Sequence, residues 1–284
     1  MRTKRNAWKA PLAIAVAAAI PLVAGCRQPA GNDAVEKNAP KPVLPIPPLP
    51  VAEPPMDRAA ILMAVARAAS AAALGEDDSR RQRGLDGKTF EIRLRFGCTP
   101  NEQEPESESR FNVSFDEKNR TLRLRASPDL DIEDEPIAGF ASEAVEAVEG
   151  FWIERPWLLA DGCPAAPQPK TGSETEPEER VIPAPSPSPR IGVAQFFTKT
   201  DPRTGRRDHR AYEATKSLAE DEQPSTEGYN LVLSGRLRAQ PLGRAISCRT
   251  VRTDAPPQCI VSADFDRVWI EKPGSKDILA SWGS

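Results

Sequence analysis

The chain has few aromatic side chains, 6% of its 284 residues, and a single histidine, His209. It also lacks a strong excess of charge of either sign, because 38 basic residues face 41 acidic ones. The scarcity of aromatics argues against a large aromatic-rich core. A formal charge of -3 argues against a strongly basic nucleic-acid binder. The apolar runs are too few for a multi-span membrane protein.

Motifs for catalysis and cofactor binding are scarce as well. The sequence contains no glycine-rich phosphate-binding loop, and no Cys-x-x-Cys pair that could join His209 as metal ligands. His209 lies in the charged stretch Arg206-Arg-Asp-His-Arg210, which is typical of a solvated loop. Asp264 and Asp266 form a pair of carboxylates, but their spacing also suits a turn. We therefore expect no cofactor, no metal and no catalytic residue.

The first 25 residues have the pattern of an export signal. Four basic residues precede an uncharged apolar run over residues 10–25, which ends in the small residues Ala24 and Gly25. The run is shorter than the roughly 20 residues needed to span a bilayer, and Pro21 interrupts it. This pattern predicts a cleaved leader rather than a membrane-spanning helix. Its removal changes the formal charge from -3 to -7, because the leader has four basic and no acidic residues.

The residues Val23-Ala24-Gly25-Cys26 resemble the lipobox of bacterial lipoprotein precursors. The resemblance implies that the Cys26 thiol receives a diacylglyceryl group and that the leader is cut just before Cys26. Two or more acyl chains anchor a protein stably, here facing the periplasm. Arg27 follows the cysteine, and the absence of aspartate at that place resembles outer-membrane rather than inner-membrane sorting. The alternative is an ordinary secretory signal in which Cys26 is accidental.

Two proline-rich stretches divide the mature chain. Residues 26–56 contain nine prolines after the cysteine, and residues 164–190 contain eight together with an acidic patch. Such composition favours polyproline II or disorder over a packed core. It predicts a tether over 26–56, a disordered linker or loop over 164–190, and two small β-rich units over 57–163 and 191–284.

The fold class predicted for these units is α+β, mainly antiparallel β, with one alanine-rich helix near the N-terminus. Asp57 as N-cap, Gly75 as stop and apolar residues at helical spacing predict a helix over residues 58–74. A shorter helix is predicted over Ala141–Glu149. Alternating patterns predict strands over the remaining segments, which are 90–96, 110–115, 121–125, 151–154, 191–198, 229–238, 244–249, 259–263, 267–271 and 277–282.

Four cysteines remain after Cys26, and an exported chain meets an oxidising compartment, where disulfides are the default. Four cysteines allow three pairings. We expect Cys98–Cys163 and Cys248–Cys259, because each of these pairs lies within one predicted unit.

Two patterns offer candidate ligand-binding residues. Arg-Leu-Arg triplets place arginines on one face of a strand, where they suit phosphate or carboxylate groups or pair with acidic residues on neighbouring strands. The triplet residues are Arg93, Arg95, Arg123, Arg125, Arg236 and Arg238. Two Trp-Ile-Glu segments place Trp152 and Trp269 beside a carboxylate, either to stack on a sugar or to fill the core.

The sequence thus favours a membrane-anchored envelope lipoprotein with a non-catalytic accessory or interaction role. Its expected partners are the membrane, through the lipid anchor, and an envelope protein or cell-wall component, with no nucleic acid. The alternatives are a periplasmic small-ligand or glycan-binding module and, third, an envelope hydrolase.

Overall fold

The structure is a computed structural model that describes residues 53–98, 110–139, 144–163, 190–202, 205–239, 241–275 and 277–283. These residues belong to one compact unit, Ala52–Ser284. The leader, Cys26, nearly all of the tether and all but the last residue of the linker lie outside the described residues. No helix within the described ranges is both long enough and apolar enough to cross a membrane.

The predicted alanine-rich helix is confirmed as α1, Arg58–Leu74. The Asp57 side chain accepts a hydrogen bond from the Ala60 amide, which satisfies one of the free donors of the first turn. Gly75 ends the helix at φ 67°, a left-handed conformation that glycine adopts without steric cost. Two short helices follow, α2 over Ser79–Gln82 and α3 over Glu135–Ala138.

Within the described residues, ten strands form two sheets. They are β1 Thr89–Phe96, β2 Phe111–Asp116, β3 Thr121–Ala126, β4 Val145–Trp152, β5 Ile191–Thr198, β6 Tyr212–Ser217, β7 Tyr229–Leu237, β8 Ile246–Arg249, β9 Gln258–Glu271 and β10 Ile278–Gly283. The large sheet has the order β1-β7-β9-β5-β4, with β8 and β10 also paired to β9, and the small sheet has the order β2-β3-β6. All pairs are antiparallel except β5 with β9, which confirms the predicted β-rich α+β class.

The large sheet curls so that its two ends meet the small sheet. β1 and β4 stand at opposite ends of its strand order, yet both reach β2. Phe96 of β1 stacks on Phe111 of β2 with ring centroids 5.2 Å apart, and Phe151 of β4 stacks on Phe111 at 6.0 Å. One hydrophobic core accordingly joins α1 and both sheets. A smaller core lies around Leu130, Val148 and Trp152.

The two stretches that the proline-rich linker divides do not form separate units. β1, from the first stretch, pairs over eight residues with β7 of the second, and β4 pairs with β5 across residues 164–190. The described residues therefore form one body instead of the two units predicted over 57–163 and 191–284. Residues 164–190 were predicted to be a linker or loop and all but the last lie outside the described residues; proline content carries no information about which strands pair across them.

Two local predictions are also corrected, and one strand was not predicted. Of the helix expected over Ala141–Glu149, residues 141–143 lie outside the described residues and residues 145–149 belong to β4, whose valines and glutamates at three-residue spacing mimic a helix pattern. The strands expected over 259–263 and 267–271 are one long strand, β9, and β6 was not predicted. Pairing with neighbouring strands overrides local preference in each case.

Both predicted disulfides are confirmed. Cys98 after β1 is bonded to Cys163, and Cys248 of β8 is bonded to Cys259, its directly paired residue in β9. The first bond ties the end of the segment that follows β4 to the end of β1.

Candidate functional site

The segment over residues 154–163, here called the β4 loop, is held against the start of α1 by a buried arginine. Arg58, the first residue of α1, is 9% exposed. Its Nη2 donates to the Glu154 carbonyl at 2.7 Å and to the Arg155 carbonyl at 3.2 Å, and its Nε donates to the Leu158 carbonyl at 2.9 Å. Burial lowers the pKa of Arg58, and the charge of Asp161 partly opposes this shift. One guanidinium thus satisfies three loop carbonyls that no regular strand or helix would satisfy.

Further contacts fix the other half of the β4 loop. Arg155 has a φ of 47°, and its Nη2 donates to the Gly162 carbonyl at 3.1 Å. The Oδ2 atom of Asp161 lies 3.7 Å from Nη2 of Arg95 on β1. The disulfide between Cys163 and Cys98 holds the end of the loop. The loop is therefore tied to α1 at its beginning and to β1 at its end.

The middle of the β4 loop points outward. Trp157 is 59% exposed, Leu158 40% and Leu159 52%. We call these three residues the apolar tip. Tryptophan side chains ordinarily pack in hydrophobic cores. An exposed indole on a loop that is held by several hydrogen bonds is therefore unusual.

A shallow, open depression of about 190 Å³ lies beside the base of the β4 loop. It is lined by side chains of both charge signs, namely Asp57, Arg58, Glu91, Arg93 and Asp161. Arg95 and Asp161 line a neighbouring cleft of about 10 Å³. There Arg95 Nε and Asp161 Oδ1 are buried and have no hydrogen-bond partner among the described residues. Such groups need a water or a ligand that offers both an acceptor and a donor.

Arg93 and Trp269, two of the predicted ligand-binding residues, meet around Glu271 on the large sheet. Glu271 accepts hydrogen bonds from Trp269 Nε1 at 2.8 Å, Arg93 Nε at 2.8 Å and Asn230 Nδ2 at 3.3 Å. Burial by itself raises the pKa of Glu271, but these donors hold it below its ordinary value. Arg93 also pairs with Glu91 at 2.7 Å. The guanidinium of Arg93 is thus committed to carboxylates of the protein itself.

The other triplet arginines are not gathered with Arg93 and Arg95. Arg123 and Arg125 are exposed on β3, in the other sheet, and Arg236 and Arg238 lie at the opposite end of β7 from the β4 loop. Three of them face acids across the sheet, in the pairs Arg125–Glu213, Arg236–Asp266 and Arg238–Asp264. The structure therefore favours the cross-strand pairing alternative over a single guanidinium-lined face.

The two tryptophans of the Trp-Ile-Glu segments are buried. Trp152 is 9% and Trp269 8% exposed, and each carries a guanidinium over its ring. Arg190 lies 4.2 Å from the centroid of the Trp152 ring and Arg267 lies 5.1 Å from that of Trp269. Because both rings are buried, a sugar could stack on either only after displacing an arginine or opening the core.

His209 and the acidic pair lie outside this region. His209 is exposed and has a φ of 59°. Its Nε2 lies 3.7 Å from Oδ2 of Asp131. Asp264 and Asp266 pair with the arginines given above. Within the described ranges, no group of three or more histidine, cysteine or acidic side chains is placed to hold a metal ion.

Sequence reasoning missed Arg58, Asp161 and the apolar tip. Arg58 did carry a signal, because it is spaced like Ile61, Leu62 and Val65 on the buried face of α1, where a charged residue requires buried partners. Asp161 and Trp157 gave no periodic signal, since they lie in an irregular loop.

Comparisons with known proteins place the chain in no family: no family model, no curated protein and no solved structure matches it.

Proposed function

We propose that this protein is a lipid-anchored envelope lipoprotein, attached through Cys26 on the periplasmic side of a bacterial membrane, preferentially the outer one. The observation that carries the proposal is the leader, in which a basic start, a short apolar run and Ala24-Gly25-Cys26 coincide. The two disulfides of the body support it, because such bonds form and persist in oxidising compartments.

The role we propose for the body is a non-catalytic accessory or interaction role. Its support is the β4 loop, which is firmly bonded at its base and presents an apolar tip to the surroundings. Loops held by a rigid scaffold are a common means of presenting binding residues.

The test of the anchor is a Cys26→Ser variant expressed beside the wild type. We expect the intact mass of the wild type to correspond to a chain that begins at Cys26 and carries acyl groups, and we expect it to float with outer-membrane vesicles on a density gradient. The variant lacks the acyl mass and is released from the membrane fraction. Gln28→Ser is the matched control and should behave like the wild type. A Cys26→Ser protein that remains fully membrane-bound would contradict the proposal.

A small-ligand site is the second candidate, favoured by the buried, unpartnered Arg95 Nε and Asp161 Oδ1 beside the mixed-charge depression. A donor for Asp161 and an acceptor for Arg95 are both present in a zwitterion such as a short peptide. Titration calorimetry with alanyl-alanine should show binding that Asp161→Asn weakens about tenfold or more, as expected for loss of a charged hydrogen bond. Asp254→Asn, at an exposed acid outside the depression, should not weaken it. Equal affinity in both variants would argue against this site.

A further inference from the structure

The apolar tip is the most concentrated exposed apolar surface among the described residues. Trp157, Leu158 and Leu159 are consecutive and all exposed, whereas the other exposed large apolar residues, Met63, Leu74 and Ile278, are scattered along the chain. Single exposed apolar residues are ordinary on protein surfaces, but contiguous ones mark sites of interaction.

The tip is held out by bonds that leave little freedom to fold back. Arg58 fixes the carbonyls of Glu154, Arg155 and Leu158, and the disulfide to Cys98 fixes the end of the loop. A preorganised loop loses little conformational entropy on docking, so a small apolar surface suffices for useful affinity.

The tip also contacts a residue near the start of the described body. Arg58, which contacts the tip residue Leu158, is only five residues after Glu53, where the described body begins. Even when fully extended, the 27 residues from Cys26 to Ala52 span no more than about 100 Å. A lipid on Cys26 would keep the body near one bilayer at an effective concentration in the millimolar range.

We propose that the apolar tip inserts into the interfacial region of the bilayer that carries the anchor, so that the body docks on the membrane. This inference rests on the proposed function, which supplies the anchor. Indole rings prefer the boundary between headgroups and acyl chains, and the adjacent leucines reach the apolar side of that boundary. Because the mature chain carries a formal charge of -7, insertion is driven by apolar surface rather than by attraction to anionic lipid.

The experiment uses the purified lipidated protein in vesicles of phosphatidylethanolamine and phosphatidylglycerol, with and without brominated acyl chains. The Trp157 emission is obtained by subtracting the spectrum of a Trp157→Phe variant. We expect brominated lipid to quench it and the iodide quenching constant to fall roughly threefold or more when vesicles are present. Neither effect should depend strongly on salt.

Two variants test whether the leucines drive insertion. Leu158→Ser combined with Leu159→Ser should reduce the quenching by brominated lipid at least twofold while the protein still floats with the vesicles. Leu74→Ser is the matched control, because Leu74 is 72% exposed at the other end of α1. It should leave the quenching unchanged.

Failure of the anchor and failure of the tip give different results. Flotation with vesicles tests the lipid anchor. Quenching of Trp157 by brominated lipid tests the tip, and it can also be measured in the Cys26→Ser chain, which lacks the anchor, at millimolar lipid. Trp157 emission that stays open to iodide and insensitive to brominated lipid in both proteins would overturn the inference. Protection from iodide without quenching by bromine would overturn it in favour of a protein partner or a second copy, which sedimentation would distinguish.

Discussion

At the scale of single residues, Tyr212 and Glu149 show how polar groups at the margin of the core interact with their neighbours. Tyr212 is buried, with the Arg207 guanidinium 4.3 Å from its ring centroid and Glu149 nearby. Glu149 itself accepts hydrogen bonds from the amides of Arg207 and Asp208 at 2.8 and 2.7 Å. Burial raises the pKa of Tyr212 to about 12, Arg207 lowers it in part, and Glu149 adds to the rise.

We expect Tyr212 to make folding sensitive to alkali. Its pKa is about 10 when unfolded and about 12 when folded, so above pH 10 the unfolded chain binds fewer protons. The contribution of Tyr212 to the free energy of unfolding is therefore complete below pH 10, the pKa of the unfolded chain. This contribution falls by about 3 kcal/mol as the pH rises from 10 to 12.

The phenolate absorbance of the folded protein measures this shift directly, because the chain contains only two tyrosines. Burial also raises the pKa of the second one, Tyr229. Tyr212→Phe should remove the later ionisation step and leave that of Tyr229. A Tyr212 step centred near 10 in the folded state would contradict the expected burial of the phenol.

At the scale of elements, the long strand β9 organises the large sheet by pairing with β5, β7, β8 and β10. Its pairing with β7 shifts register between Ser234 and Gly235. A β-carbon at Gly235 would collide with the backbone carbonyl of Asp264 on β9. A glycine is therefore required here by the close approach of two backbones.

Gly235→Ala should destabilise the protein by about 2–4 kcal/mol, because backbone atoms must move apart and the central pair of strands is disturbed. Chemical denaturation followed by circular dichroism gives the free energy of unfolding. Gly162→Ala is the matched control, since a β-carbon there meets no atom within 4 Å, and its effect should stay within about 0.5 kcal/mol. Equal stabilities of the two variants would show that the strands can separate at little cost.

At the scale of the whole molecule, the two disulfides differ in what they connect. Cys98–Cys163 spans 65 residues and ties the β4 loop to β1, whereas Cys248–Cys259 spans 11 residues and joins adjacent strands. The first also closes the segment that carries the apolar tip.

Replacing Cys98 and Cys163 by serine should cost about 4 kcal/mol, and replacing Cys248 and Cys259 about 3 kcal/mol, because the longer closed loop restricts the unfolded chain more. The melting temperatures of the wild type and of the two variants under non-reducing conditions measure these losses of stability. In reductant, both variants should melt at the same temperature as the wild type. Only the first variant should also make the β4 loop sensitive to proteases. A larger loss from the shorter disulfide would contradict the loop-entropy argument.

Much of the local structure follows from the order of residues. α1 could be predicted to its last residue because its signals, the Asp57 cap, the apolar spacing and the Gly75 stop, all act within a few residues. The turn between the paired strands β2 and β3 has a signal that is equally local, since Asn119 donates hydrogen bonds to the Asp116 carboxylate from its amide and its side chain. The candidate site was predicted only in part: Arg93 and Arg95 lie at it, but Arg58, Asp161 and Trp157 were not recognised.

The amino-acid sequence alone determined the helix, most strands and the lipobox resemblance, because these depend on short patterns. It predicted the two disulfide pairs correctly, although the two-unit division behind that prediction is replaced by one body. Only the tertiary structure decided that β1 pairs with β7, that the sheet curls until β1 and β4 both meet β2, and that Arg58 supports a loop 96 to 100 residues away. These features depend on contacts between residues far apart in the chain, where pairing and burial outweigh any local preference.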